Sequence, residues 1–216
     1  MNQTSKLLAF TRLLQGLKNL ERFKGQYYWK EYPQPERYES VADHSWRMAM
    51  MLVVIESSLS QPIDFKKAMT MALIHDLPEI IAGDPSPLGS DGTGKDSHAY
   101  NAELKAKKYE KEKQAAQEIF GALPEDEKKN LYSLWLEYEG QQSFEGRLVK
   151  ALDRIEAKLQ VLEYTKKDGM YKSHLDFTIA YGSETLDVDA SVKAFGSAVV
   201  EELQKNYKEF IPPKQA

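Results

Sequence analysis

The chain has no cysteine, so disulfides and thiolate metal sites are excluded, and any metal centre must be built from His, Asp and Glu. It has no run near the ~18 apolar residues that a membrane span needs. Its amino-terminal stretch MNQTSKLLAFTRLLQGL is amphipathic and has no small-residue cleavage site, so a cytoplasmic location is expected. A strong charge of either sign is missing as well: 29 Lys and Arg against 33 Asp and Glu leave a formal net charge of -4. Bulk nucleic acid and membranes are therefore not expected partners, and a phosphate site would have to be made positive locally. No alternating apolar strand, internal repeat or low-complexity tract is found.

What remains is helical, and 216 residues suffice for one unit spanning residues 1–216. Leu7, Phe10, Leu14, Leu17 and Leu20 recur at steps of three and four, which predicts an amphipathic helix to about Phe23. Pro33 and Pro35 mark an extended connection after it. A second helix is expected from Ser40, capped through Ser40-Val41-Ala42-Asp43, with His44, Met48, Met51, Leu52, Ile55 and Leu59 on its inner stripe. A third begins after Pro62 with Asp64 as cap, reaches His75-Asp76, and is ended or kinked by Pro78. Residues 83–94 are dense in turn formers and read as a long, mobile surface loop. Helices are then expected at about 99–120, after Pro124 to about Tyr138, from Ser143 to about Lys167, and at about 187–210 as a carboxy-terminal extension.

The four histidines are His44, His75, His98 and His174. Two stand on apolar helical stripes beside carboxylates. A divalent ion needs such groups to converge in a place of low dielectric, where an unpaired charge is otherwise costly. His75 and Asp76 diverge by about 100 degrees on a helix and cannot both be ordinary core residues, but an ion at the helix end reconciles them. Asp153 lies in line with Val149, Ala157 and Val161, so something cationic should meet it. Taken singly, each has a plainer reading: His44 as a hydrogen-bonded core residue, Asp153 as a partner of Lys150 or Arg154. His98 and His174 are expected on the surface.

Together the words Val-Ala-Asp-His44-Ser, Ala-Leu-Ile-His75-Asp76-Leu-Pro-Glu79 and Lys-Ala-Leu-Asp153-Arg resemble the HD-domain metal-dependent phosphohydrolase superfamily. Its pattern is a helix His, a later His-Asp doublet and a distal helix Asp. The resemblance implies an all-α HD-type helical bundle and one divalent ion held by His44, His75, Asp76 and Asp153. Mn, Fe, Co, Ni, Zn or Mg would all be accepted by such N and O donors. Glu-Ser-Val-Ala-Asp-His-Ser, His-Asp-Leu-Pro-Glu followed by Gly83-Asp84, and an upstream helix ending in Arg22 are similar to the 5'-deoxynucleotidase branch over about residues 5–165.

That branch implies removal of the 5'-phosphate from nucleoside monophosphates. By position, Glu79 would activate or orient water, Asp84 would handle a proton or bind the sugar, and Arg22 would hold the phosphate. Phe23 stands where a Trp often follows that Arg, which bears on sugar choice. The plainer readings are a solvated acid for Glu79, a surface charge for Arg22, and core packing beside Leu20 for Phe23. Rival functions are an HD reaction on a nucleoside triphosphate, a cyclic nucleotide or another phosphate ester, and a non-catalytic protein that binds metal and nucleotide. Gly89-Ser90-Asp91-Gly92-Thr93-Gly94-Lys95 has phosphate-loop spacing, but Asp96 replaces the Ser or Thr that ligates magnesium, so it reads as a flexible loop. The alternating charges of Glu103 to Glu118 read as a solvated face. Tyr27, Tyr28 and Trp29, taken as exposed, leave room for a homodimer.

Overall fold

The computed structural model describes residues 2–212, so the expected unit 1–216 runs at both ends beyond the described residues. It contains ten α-helices: α1 Gln3–Leu13, α2 Gln15–Asn19, α3 Val41–Ile55, α4 Phe65–Ile74, α5 Glu79–Ala82, α6 Ala102–Gly121, α7 Glu125–Glu139, α8 Phe144–Thr165, α9 Lys172–Ala180 and α10 Ala190–Lys205. Among the described residues there is no sheet, only the isolated bridges Glu21–Ser40 and Met170–Glu209. The fold is all-α, as expected. No described helix is long and apolar enough to cross a membrane.

Three helices build the centre. α3, α4 and α8 pack against one another, with α7 against α4 and α8, α6 against α7, and α10 against α8. Each central helix starts where a short polar side chain satisfies free backbone N–H groups. Ser40 Oγ accepts from Asp43 N at 3.2 Å while Asp43 Oδ2 accepts from Ser40 N at 2.9 Å, a reciprocal capping box that starts α3. Asp64 caps α4 through Lys67 N, and Ser143 caps α8 through Gly146 N. Met48, Leu52, Met71, Ala72, Leu148, Leu152 and Ile155, all buried, fill the space between these helices. Burying one Leu- or Met-sized side chain contributes roughly 1.5–3 kcal/mol, which fixes the register in which the polar groups on the same helices meet.

Four expectations change. The first helix does not run to Phe23: it breaks at Leu14, and α2 ends at Asn19. The backbone from Leu20 to Arg22 instead pairs with the entrance to α3, through Val41 N to Leu20 O at 3.0 Å and Arg22 N to Glu39 O at 2.8 Å. The segment 83–94 is a loop that exposes Pro85, Ser90, Asp91 and Thr93 as expected, but it is not free of the core, since Leu88 is only 1% exposed and anchors it there. Its phosphate-loop look is empty: Asp96 accepts from Ser90 N at 3.1 Å, placing an acid where a phosphate would sit. Tyr28 and Trp29 are buried, not exposed, and Trp29 packs edge-on against Tyr32, Tyr38 and Tyr164. They therefore offer no surface to a second copy.

The fourth change concerns His174, which is 4% exposed, stacked on Tyr28 at 4.3 Å. It belongs to α9, a helix that the sequence pattern did not reveal.

Candidate metal centre and active site

His44 leaves the first turns of α3 facing inward, fully buried. His75 follows the last residue of α4, where Trp135 Nε1 donates to its carbonyl at 3.1 Å and holds that end of the helix. Asp76 comes next, and Asp153 points in from the middle of α8. The four side chains meet. His44 Nε2 lies 3.3 Å from His75 Nε2, 3.4 Å from Asp153 Oδ1 and 3.6 Å from Asp76 Oδ2, and His75 Nε2 lies 3.2 Å from Asp76 Oδ2.

Those separations fit a metal ion. Ligands at about 2.0–2.2 Å from a centre sit about 3 Å apart at an octahedral edge and about 3.4 Å apart at a tetrahedral one. The donor set gives an independent reason. The other ring nitrogen of His75 donates to Ala72 O at 3.0 Å, and that of His44 to Glu156. With both rings neutral the two Nε2 lone pairs are turned toward each other, which is repulsive unless positive charge, a metal ion or a proton on His44, lies between them. Burial and Arg22 push the His44 pKa down, yet the Glu156 and Asp153 carboxylates outweigh them and bring it up to about 9. The pocket draws in a cation.

The second oxygen of Asp153 is tied from behind. Tyr138 Oη donates to Oδ2 at 3.4 Å, with Lys150 Nζ at 3.3 Å and Arg154 Nη1 at 3.7 Å. The plainer reading of Asp153, a pair with Lys150 or Arg154, is thus also realised, leaving Oδ1 free for the site. Burial opposes its charge, but Arg154, Lys150 and His44 win and hold its pKa well below the usual range.

Around this centre opens a cavity of ≈ 720 Å³, lined by Arg22, Phe23, Glu79 and Asp84 among others. Glu79 is 5% exposed, and its Oε2 has no hydrogen-bond partner. Lys108 Nζ stands 3.7 Å from Oε1. Burial, then the charges of Asp76 and Asp84, raise the Glu79 pKa well above its ordinary value. Asp84 is pushed up as well, by burial and against the pull of Arg22, whose Nε is 3.8 Å away. The plainer reading of Glu79 as a solvated acid therefore does not fit its burial.

Arg22 is not a surface charge either. Its Nη1 donates to Glu39 Oε2 at 2.9 Å and to Glu156 Oε2 at 3.2 Å. Phe23 adopts a left-handed backbone, φ 66°, a conformation that costs a non-glycine residue about 1–3 kcal/mol. Its ring lies beneath the Arg22 guanidinium at 5.3 Å and edge-on to Tyr164 at 5.6 Å. It both packs on the core and faces the cavity.

Three groups were missed in the sequence. Glu156, fully buried, sits one helical turn beyond Asp153 and braces the far side of His44. Lys108 and Glu112 come from the helix read as a solvated face, yet Glu112 is buried and both line the cavity. Their spacing to Ala115 and Ile119 continues an apolar stripe, which was the available signal. His98, expected at the surface, also lines the cavity, and burial followed by Lys108 and Arg154 lowers it to about 4.

Comparison with known proteins identifies the family of the chain. The 5'-deoxynucleotidase HDDC2 of Homo sapiens is 39% identical over 158 residues, 73% of this chain and 68% of that protein. The Dictyostelium discoideum protein of the same name is 34% identical over 76% of this chain and 80% of its own length. A solved structure, described as a predicted metal-dependent phosphohydrolase from Magnetospirillum magnetotacticum MS-1, shares the fold with a TM-score of 0.69 at 24% identity, covering 94% of this chain and 96% of that one. The HD domain family pattern matches residues 27–195, a span holding all four converging side chains, and the chain belongs to that family.

Proposed function

We propose that this HD-type phosphohydrolase is a 5'-nucleotidase that removes phosphate from deoxynucleoside 5'-monophosphates and tolerates ribonucleotides, with one divalent ion held by His44, His75, Asp76 and Asp153. The observation that carries the reading is the pair of Nε2 atoms 3.3 Å apart, each ring committed elsewhere through its Nδ1. The relatives named 5'-deoxynucleotidase support the substrate class. Two imidazoles in the donor set favour Mn, Fe, Co, Ni or Zn over Mg, which prefers oxygen ligands and water.

A divalent ion at this place supplies the charge that polarises a phosphoryl oxygen and acidifies water. Glu79 takes the proton from the attacking water: its buried Oε2 has no other partner, and the positive charge of a bound ion would keep the carboxylate ionised and able to accept. The water oxygen bonds to phosphorus as the bond from phosphorus to O5' breaks, and the proton held by Glu79 is the one the departing O5' requires. Asp84 assists that transfer or binds the sugar. Arg22 is shared by Glu39, Glu156 and Asp84, so it grips the phosphate with its remaining donor capacity, while Lys108, Lys150 and Arg154 on the same cavity wall add positive charge.

Phosphate release from paired 5'- and 3'-monophosphates, with each metal in turn, tests this reading. Activity confined to the 5' isomers supports it. Equal rates on both isomers, or hydrolysis of triphosphates alone, would replace it with another HD phosphohydrolase reaction.

A further inference from the structure

The cavity continues past the ion site to an aromatic corner made by Tyr100, Phe177 and Tyr181. Phe177 and Tyr181 lie nearly parallel, 5.3 Å apart with 22° between their planes. Tyr100 stands across both, at 70° to Phe177 and 88° to Tyr181. It is 54% exposed, so much of its ring is open to the cavity it lines. The corner is close to the reacting centre. The Arg154 guanidinium lies 4.5 Å over the Tyr181 ring and 3.7 Å from Asp153 Oδ2, so one side chain links the aromatic corner to a carboxylate of the ion site.

The backbone is shaped to hold this corner. Gly94 has φ +77°, and a Cβ there would meet Phe177 Cε2 at 2.7 Å and Tyr100 Cδ2 at 3.0 Å. Gly182 has φ +71°, and its Cβ would strike Arg154 Cδ at 2.5 Å. Both positions need glycine for conformation and for close approach. The turn-rich segment before Tyr100, expected to be a mobile loop, is thus the buttress of the aromatic wall.

We infer that Tyr100, Phe177 and Tyr181 form the nucleobase subsite, in which the base stacks on the open Tyr100 face while its sugar and phosphate reach past Arg154 to the ion. This rests on the reading of the site as a nucleotide phosphatase. A stacking wall accepts any base, because every base presents a π-face, and it offers most to the larger purines. The enzyme is therefore broad in base choice, and its hold on the base is separate from its hold on phosphate.

The test compares deoxyadenosine 5'-monophosphate with base-free deoxyribose 5-phosphate in the metal-loaded full chain. In Tyr100→Ala the ratio of kcat/KM for the nucleotide to that for the sugar phosphate should fall by about tenfold or more, within the ~5- to 150-fold loss that removing one stacking ring produces. Tyr100→Phe should restore the ratio. A ratio unmoved by Tyr100→Ala would overturn the subsite. Titration calorimetry with deoxyadenosine 5'-monophosphate reads the wall without turnover: weaker binding in Tyr100→Ala supports it and equal affinity overturns it. Should the wild-type chain fail to hydrolyse any monophosphate, the proposed activity falls while the binding result still decides the subsite.

Discussion

Glu156 accepts the Nδ1 hydrogen of His44 from a position one helical turn beyond Asp153, and both side chains are fully buried. One helix thus supplies a group facing the ion site and the brace of a second group there. The same carboxylate faces Arg22 and Arg47, whose Nε lies 2.9 Å from its Oε1. Such a brace fixes the tautomer of the imidazole and raises its basicity.

Glu156→Gln keeps the shape and an acceptor for His44 but removes the charge. Metal affinity should fall by about 10- to 100-fold while the chain stays folded, as read by competition with a chelator of known strength. Affinity equal to wild type would assign Glu156 to the arginines alone.

Glu79→Gln should retain the ion and lose roughly 10²- to 10⁴-fold in turnover. A second effect follows from linkage. Burial raises the Glu79 pKa in the folded chain above its ordinary 4.5, so the native state keeps a proton that the unfolded state releases, and stability declines as pH rises above that value. In chelator-treated protein, the variant should therefore gain melting temperature relative to wild type as pH is raised. Parallel melting curves across pH would show that Glu79 ionises freely.

His174 carries the opposite sign. Burial lowers it to about 3 from an ordinary 6.5, so the unfolded chain takes up a proton that the folded one refuses. Its contribution is complete above pH 6.5 and is lost as pH falls toward 3. His174→Phe, which keeps the stacking on Tyr28, should flatten the decline in melting temperature between pH 7.5 and 5 compared with wild type. An unchanged slope would mean that His174 charges within the fold.

Under the proposed function, the wall beside Arg22 would set sugar choice. Phe23 is smaller than an indole and lacks its N–H donor, so deoxy- and ribonucleotide rates should lie within about tenfold of each other. Phe23→Trp should shift preference toward the deoxy form. Kinetics for both sugars untouched by that substitution would leave Phe23 a packing residue against Tyr164.

The central helices and their four inward groups were legible because helical spacing ties His44 to Met48 and Leu52, and Asp153 to Val149, on stripes that have to be buried. Caps at Ser40 and Asp64 marked where two of those helices begin, and the start expected at Ser143 is likewise a cap. Burial outside regular periodicity was not legible. Glycine and proline report backbone angles, not depth, so the segment around Leu88 looked solvated although it is anchored in the core. Tyr28 and Trp29 sit in a 3₁₀ turn with no stripe to read. α9 has neither a side-chain cap nor a strong apolar face, and it brings His174 and Phe177 inward only because α8 and α10 pack against it.

The most direct measurement is metal content by elemental analysis, taken beside phosphate release from a deoxynucleoside 5'-monophosphate, for wild type, His75→Ala and Asp76→Ala. The account predicts one divalent ion per wild-type chain, loss of the ion in both variants, and loss of phosphate release with it. Full metal occupancy in both variants would contradict it.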